Sequence, residues 1–139
     1  MNFSEAVNKL INVINQDDCT IIFINGLMGV GKTSFARTIV TQLDGQFPNS
    51  ASYSLINVIS GTKKILHADF YRQCLDSEIM ECELLPCLTN NFLLLLEWCE
   101  PFMIINDVPH YEVTISFSDH GHRLYSICKL DCTKSILAN

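Results

Sequence analysis

The chain has 139 residues with a formal net charge of −6, 48% hydrophobic and 17% charged residues. That length is a prior for one domain, the composition is that of a globular rather than a disordered chain, and the acidic balance argues against autonomous binding to RNA or DNA, which needs a Lys/Arg-rich face. No secretory leader is visible at the N-terminus, and the longest apolar runs are strand-length, so the chain reads as cytosolic, with no membrane span.

Residues 4–15 predict an amphipathic helix: Ser4 is a candidate N-cap, Val7, Leu10, Ile11 and Ile14 make one face, and Asp17 and Asp18 end it. Thr20-Ile21-Ile22-Phe23-Ile24 follows, apolar throughout as a parallel strand buried on both faces should be. It runs into Gly26-Leu27-Met28-Gly29-Val30-Gly31-Lys32-Thr33, a match to G-x-x-x-x-G-K-[ST]. From Ser34 a helix is expected, with Phe35, Ile39, Val40 and Leu43 at helical spacing, stopped by Asp44-Gly45. Strand, glycine loop and helix in this order make a phosphate site. The glycines permit close backbone approach, the loop amides form an anion nest at a helix N-terminus, Lys32 reaches the β- and γ-phosphates, and the Thr33 hydroxyl ligates Mg²⁺. The alternative is a glycine turn before an ordinary helix, and a chance match in a chain of this length is about a one-in-two-hundred event from average residue usage.

After an irregular stretch at 46–52, two β-like runs, 53–59 and 63–70, flank Ser60-Gly61-Thr62 and predict an antiparallel hairpin. The Lys63-Lys64 pair reads as part of a solvated turn. A short helix is expected from about 77 to 85, ended by Pro86. Residues 92–96 predict a second fully buried strand ending in Glu97-Trp98-Cys99-Glu100, residues 101–109 a loop, and 111–117 with 123–130 a hairpin about the 118–122 turn. The sum is a single α/β domain over 1–139, core about 4–130, with a P-loop NTPase-like mixed sheet: parallel around the P-loop, antiparallel at the edges, flanked by helices.

Two apolar runs end in acids, Asp69 and Glu97. Ligands in open α/β sheets sit outside the carboxyl ends of strands, so each acid is placed to hold Mg²⁺ or to orient water; the bland reading is a polar residue where a strand surfaces. Arg72 could offset phosphate charge or make a surface ion pair. Ser50 and Ser52 lie where nucleotide-sensing loops often lie, though serines also favour turns. Trp98 reads by default as an edge-of-core aromatic, with a nucleotide or partner contact as the alternative. The seven cysteines show no metal-ligand spacing and read as small buried hydrophobes; the four histidines show none either, and His120 and His122 are expected to face solvent beside Gly121. No N-K-x-D follows the loop, so ATP is favoured over a guanine nucleotide.

The order of the P-loop segment, Ser50-Ala51-Ser52-Tyr53-Ser54-Leu55, His67-Ala68-Asp69-Phe70-Tyr71-Arg72 and Leu96-Glu97-Trp98-Cys99-Glu100 resembles the bacterial TsaE (YjeE) family over roughly residues 4–130. The resemblance implies a small P-loop ATPase serving the formation of threonylcarbamoyladenosine in tRNAs reading ANN codons, acting with the TsaB–TsaD pair and touching tRNA only through those partners. It implies that Lys32, Asp69 and Glu97 are catalytic, that Thr33, Asp69 and Glu97 serve Mg²⁺, and that residues 26–34, Ser52 and Trp98 bind ATP. Leu27 stands where the family commonly has aspartate, Ala51 and Cys99 where it has proline. Two other readings compete: a non-hydrolysing module in which ATP only orders the 46–60 segment for a partner, and a small-molecule kinase.

Overall fold

The computed structural model describes residues 1–48, 56–70, 84–88, 90–99 and 108–130. Ser50, Ala51, Ser52, Arg72, Cys74, Cys82, Cys132 and most of the expected 77–85 helix lie outside the described residues.

The first helix, α1 (Phe3–Gln16), begins one residue before the expected cap. Asn2, not Ser4, caps it: the Asn2 side chain accepts from the Glu5 amide at 2.9 Å while Glu5 Oε1 accepts from the Asn2 amide at 3.2 Å. This capping box needs Glu three residues after the cap, which Asn2 has and Ser4 lacks. Starting early brings Phe3 into the first turn, where its ring meets Phe35 and Tyr125 edge-on. At the other end Asp17 leaves the helix in extended conformation.

Strand β1 (Thr20–Gly26) leads through the loop to α2 (Lys32–Gln42), then come β2 (Ile56–Ser60), β3 (Lys64–Asp69), a 3-10 turn at Leu85–Cys87, β4 (Phe92–Glu97), β5 (His110–Phe117) and β6 (Arg123–Leu130). The sheet order is β2-β3-β4-β1-β5-β6. β1 pairs in parallel with β4 and β5, and β3 with β4, while β2–β3 and β5–β6 are antiparallel. The expected mixed sheet is therefore present, parallel at the centre with a hairpin on each edge. Its central strands β1 and β4 alternate between two buried faces. On β1, Ile22 and Ile24 pack with α1 and α2, and Ile21 and Phe23 pack with Leu66, Leu94, Leu96 and Leu84 on the other side. Burial on both faces is why the middle of β1, 21–24, and of β4, 92–96, is a continuous apolar run. Among the described residues no helix is long and apolar enough to cross a membrane.

Lys63 departs from the solvated turn expected of it. It is buried, and its ammonium donates to the carbonyls of Asp17 and Asp18, tying the β2–β3 turn to the end of α1. A helix C-terminus presents carbonyls with no intrahelical donor, and a cation satisfies them. Cys99 is buried as expected, Cys19 and Cys87 only in part, and Cys128 is exposed on the outer hairpin. His120 and His122 face solvent.

His110 is wholly buried at the start of β5, stacked on Phe23 and bonded through Nδ1 to the Val108 carbonyl. Burial holds its pKa below the ordinary 6.5, with the Val108 bond opposing the shift. The unfolded chain then takes a proton near pH 6.5 while the folded chain takes it only at lower pH. Between those two values the unfolded state binds more protons, so this group makes stability rise with pH and fall as pH drops below about 6.5, with a limiting slope of about 1.4 kcal/mol per pH unit. Urea midpoints at pH 7.5 and 5.5 should differ more in the wild type than in His110→Phe. Equal differences in the two proteins would refute the assignment.

Candidate functional site

Three strand ends meet at the loop. β1 delivers Gly26, β4 delivers Glu97 and β3 delivers Asp69, with Ile24 and Asp69 both in register with Glu97. The carboxyl ends of parallel strands, where the sheet stops and the connections diverge, leave a crevice for a ligand.

The loop itself is shaped by its glycines. Gly29 and Gly31 have φ of +79° and +108°, a region costly to any residue with a Cβ. Gly26 packs so closely that a Cβ there would stand 2.7 Å from the Ile115 carbonyl oxygen. Gly31 is the N-cap of α2 and supplies no side-chain cap, so the first amides of the helix are left for an anion. Lys32 starts α2 two residues earlier than its apolar periodicity announced, because the loop turns directly into the helix.

The side chain of Lys32 is only 6% exposed. Its ammonium donates to the carbonyls of Gly26 at 2.8 Å and Leu27 at 2.9 Å, and it sits 4.2 Å from the centre of the Trp98 ring. Burial lowers its pKa from the ordinary lysine value, while Glu97 and Asp69 pull it back up. A cation desolvated in this way is held by carbonyls, a ring face and two acids, each of which a phosphate oxygen can replace with a stronger partner. Thr33 Oγ1 donates to Glu97 Oε1 at 3.1 Å. The other Glu97 oxygen meets His67 Nε2 at 2.5 Å, and Glu97 is 1% exposed. Asp69 stands exposed at the neighbouring strand end. Met28, Gly29, Lys32, Thr33, Asp69 and Glu97 line a common cleft of about 380 Å³. Trp98, Ser34 and Arg123 border it too.

The structure thus brings together Gly29, Gly31, Lys32, Thr33, Ser34, Asp69, Glu97 and Trp98. Gly26 and Leu27 take part through their carbonyls, although the Leu27 side chain is exposed. Val30 is buried and contributes its carbonyl to Arg123. Ser52 lies outside the described residues. The edge-of-core reading of Trp98 does not hold: the residue is 38% exposed, its φ is +56°, and its ring caps Lys32. A bulky aromatic in the left-handed region costs roughly 1–3 kcal/mol, and such strain collects at functional sites.

Two residues without a role in the sequence reading belong to the site. His67 lies two positions before Asp69 on β3, hence on the same face. That period-two relation was legible, and the buried bond to Glu97 was not. Arg123 opens β6, ninety-odd residues from the loop, and its Nε donates to the Val30 carbonyl at 2.7 Å. Nothing local to its hairpin signals that contact.

Among the described residues no group of three His, Cys, Asp or Glu forms a metal cluster. Two carboxylates and a threonine hydroxyl beside a phosphate cleft are oxygen donors of the sort Mg²⁺ takes when phosphates and water complete its shell.

Comparison with known proteins gives the family and the fold. The model of the family described as "Threonylcarbamoyl adenosine biosynthesis protein TsaE" matches residues 1–125. A Rickettsia prowazekii protein named tRNA threonylcarbamoyladenosine biosynthesis protein TsaE is 35% identical over 112 residues, covering 78% of this chain and 77% of that protein. Its Rickettsia felis namesake is 30% identical, covering 99% of this chain and 82% of the relative. The crystal structure of Bacillus subtilis YdiB superposes with a TM-score of 0.64 at 17% identity, over 99% of this chain and 87% of that one, and shares the fold. The chain belongs to the TsaE family.

Proposed function

We propose that the protein is an ATP-binding and ATP-hydrolysing subunit in the synthesis of threonylcarbamoyladenosine on tRNA, acting in the cytoplasm with a TsaB–TsaD pair. The observation that carries the reading is the convergence of Lys32, Thr33, Glu97 and Asp69 from one loop and two separate strand ends on a single cleft. The names of the relatives supply the tRNA modification. The net charge of −6 leaves the RNA to its partners.

The chemistry asked of such a site is positioning and charge stabilisation rather than covalent catalysis. Lys32 exchanges the Gly26 and Leu27 carbonyls for the β- and γ-phosphate oxygens. The amides at the start of α2 take the phosphate charge that no capping side chain claims. Thr33, Asp69 and Glu97 would hold Mg²⁺, which when bound shares the charge of the β- and γ-oxygens. Glu97, fixed on one side by His67 and on the other by Thr33, orients the attacking water, with Asp69 beside it at the open end.

Phosphate release from ATP, measured with and without Mg²⁺ and with and without TsaB–TsaD, tests the proposal. The expected result is slow, Mg²⁺-dependent release by the protein alone and faster release with the pair. Tight ATP binding with no release under any of these conditions would replace this reading with that of a non-hydrolysing, nucleotide-gated module.

A further inference from the structure

The ring that holds Glu97 has only one polar anchor of its own. His67 is buried on β3, on the face it shares with Ile65 and Asp69, and stands opposite Leu95 of β4, two residues short of Glu97. Its bond to Glu97 is therefore a diagonal one across two strands, which only a long side chain can span. Nε2 meets Glu97 Oε2 at 2.5 Å, whereas Nδ1 is buried and has no hydrogen-bond partner among the described residues. The χ2 torsion of histidine is a broad well, so one bonded nitrogen does not fix the plane of the ring. Packing has to supply the rest.

Phe47 supplies it. Its ring meets the imidazole edge-on, with centroids 5.1 Å apart and planes at 62°. On Phe47 in turn lies Arg37, with its guanidinium carbon 5.3 Å from the ring centre. Arg37 is the i+4 neighbour of Thr33 on α2, and Thr33 is the donor to the other Glu97 oxygen. We propose that Phe47 is a positioning residue for ATP hydrolysis: it holds the His67 imidazole in the orientation that gives the Nε2 proton to Glu97, and so sets the carboxylate that directs the attacking water. This rests on the reading of Glu97 as the water-directing acid.

The placement of Phe47 owes nothing to a bound nucleotide. Past the end of α2 the chain turns at Asp44 with φ of +59°, the Gly45 amide donates to the Val40 carbonyl at 2.9 Å, and the Thr62 amide donates to the Leu43 carbonyl at 2.8 Å. A Cβ on Gly45 would stand 2.8 Å from Val40 Cγ1, and one on Gly61 2.4 Å from the Leu43 carbonyl oxygen. The exit from α2 is thus packed on both sides, and it delivers the Phe47 ring against the core that α1 and α2 share.

The chemistry follows from what each group can donate. An ionised carboxylate only accepts, so Nε2 carries the imidazole proton and Nδ1 is bare. If the ring could pivot, Nε2 would leave Glu97, and a buried carboxylate would be steered by the Thr33 hydroxyl alone. The phosphates are bound by Lys32 and the loop, so such a loss of aim costs rate and not binding.

Phosphate release from Mg-ATP with the TsaB–TsaD pair, on Phe47→Ala, Phe47→Leu, His67→Gln and the Phe47→Ala/His67→Gln double variant, tests the assignment. Phe47→Ala should lower kcat about tenfold with KM within about twofold of wild type. Phe47→Leu restores apolar bulk and should recover kcat to within about threefold of wild type. In the His67→Gln background Phe47→Ala should cost less than about twofold more, because its effect passes through the imidazole. Nitrogen-15 NMR of the imidazole at pH 8 reads the same device without turnover. His67 should be protonated at Nε2 in the wild type and mixed between the two tautomers in Phe47→Ala. A wild-type kcat in Phe47→Ala, equal losses of kcat and of Mg-ATP affinity, the same loss in both backgrounds, or a wild-type His67 protonated at Nδ1 overturns the role and leaves the ATPase reading standing. A wild type that releases no phosphate, with or without the pair, overturns that reading and this role with it.

Discussion

Lys32→Ala should lower Mg-ATP affinity by about two orders of magnitude while leaving the protein folded. Two charge-assisted hydrogen bonds to phosphate, at about 1.5 kcal/mol each at the low end of their range, are worth about 3 kcal/mol, and 1.4 kcal/mol is tenfold. The fold should tolerate the change, because the Lys32 side chain is a desolvated cation gathered on two carbonyls rather than a packed apolar group. Trp98 offers an internal readout. It is the single tryptophan of the chain, and the Lys32 ammonium lies 4.2 Å from its ring centre. ATP should draw the ammonium off the ring and change the emission of the wild type, and it should not change that of Lys32→Ala. Affinity retained within threefold, by calorimetry, would show that the lysine is a structural cation of the loop and no more.

How much of this was readable in the sequence depends on the range of the interaction. Strand, loop and helix around residues 20–43 were legible because apolar runs, glycines and the Gly-Lys-Thr step act on their own neighbours. The hairpins at both edges were legible for the same reason, since alternation and turn residues are local. Residue patterning foresees the sheet only as parallel at the centre and antiparallel at the rims. That β1 lies between β4 and β5 is decided by long-range pairing, which leaves no mark in the spacing of side chains.

The misplaced residues fail in one direction. A pair of lysines usually faces solvent, yet the open carbonyls at the end of α1 take Lys63 in. A tryptophan beside a buried strand usually joins the core, yet β4 ends one residue before Trp98 and the chain turns through positive φ, swinging the ring over Lys32. In both cases composition gives the average behaviour of the residue type, and a partner remote in sequence, backbone carbonyls for Lys63 and the Lys32 ammonium for Trp98, decides the outcome. Arg123 and His67 show the same limit: each matters through a single contact, with Val30 in one case and Glu97 in the other. The N-cap was recoverable. Asn2 and Glu5 satisfy the capping-box spacing that Ser4 does not, and the apolar face alone could not choose between them.

Glu97→Gln should cut ATP turnover in the presence of the partner pair by about 10²- to 10³-fold, the usual loss when a positioned electrostatic group is removed from a reacting centre. The substitution keeps the shape, with the amide oxygen accepting from Thr33 and the amide NH₂ donating to His67 Nε2 in the tautomer protonated at Nδ1, so both neighbours stay engaged while the charge is lost. Mg-ATP affinity should stay within about threefold, because the phosphates are bound by Lys32 and the loop rather than by this acid, and because removing a negative charge beside a triphosphate offsets part of any weaker hold on the metal. Asp69→Asn should cost less. Asp69 lies exposed at its strand end, where water screens its field, whereas Glu97 is buried with both oxygens engaged and its charge acts undiluted on whatever lies beside Thr33. Single-turnover phosphate release separates the step from product release. Turnover within threefold of wild type in Glu97→Gln, or a larger loss in Asp69→Asn, would move the water-directing role from β4 to β3.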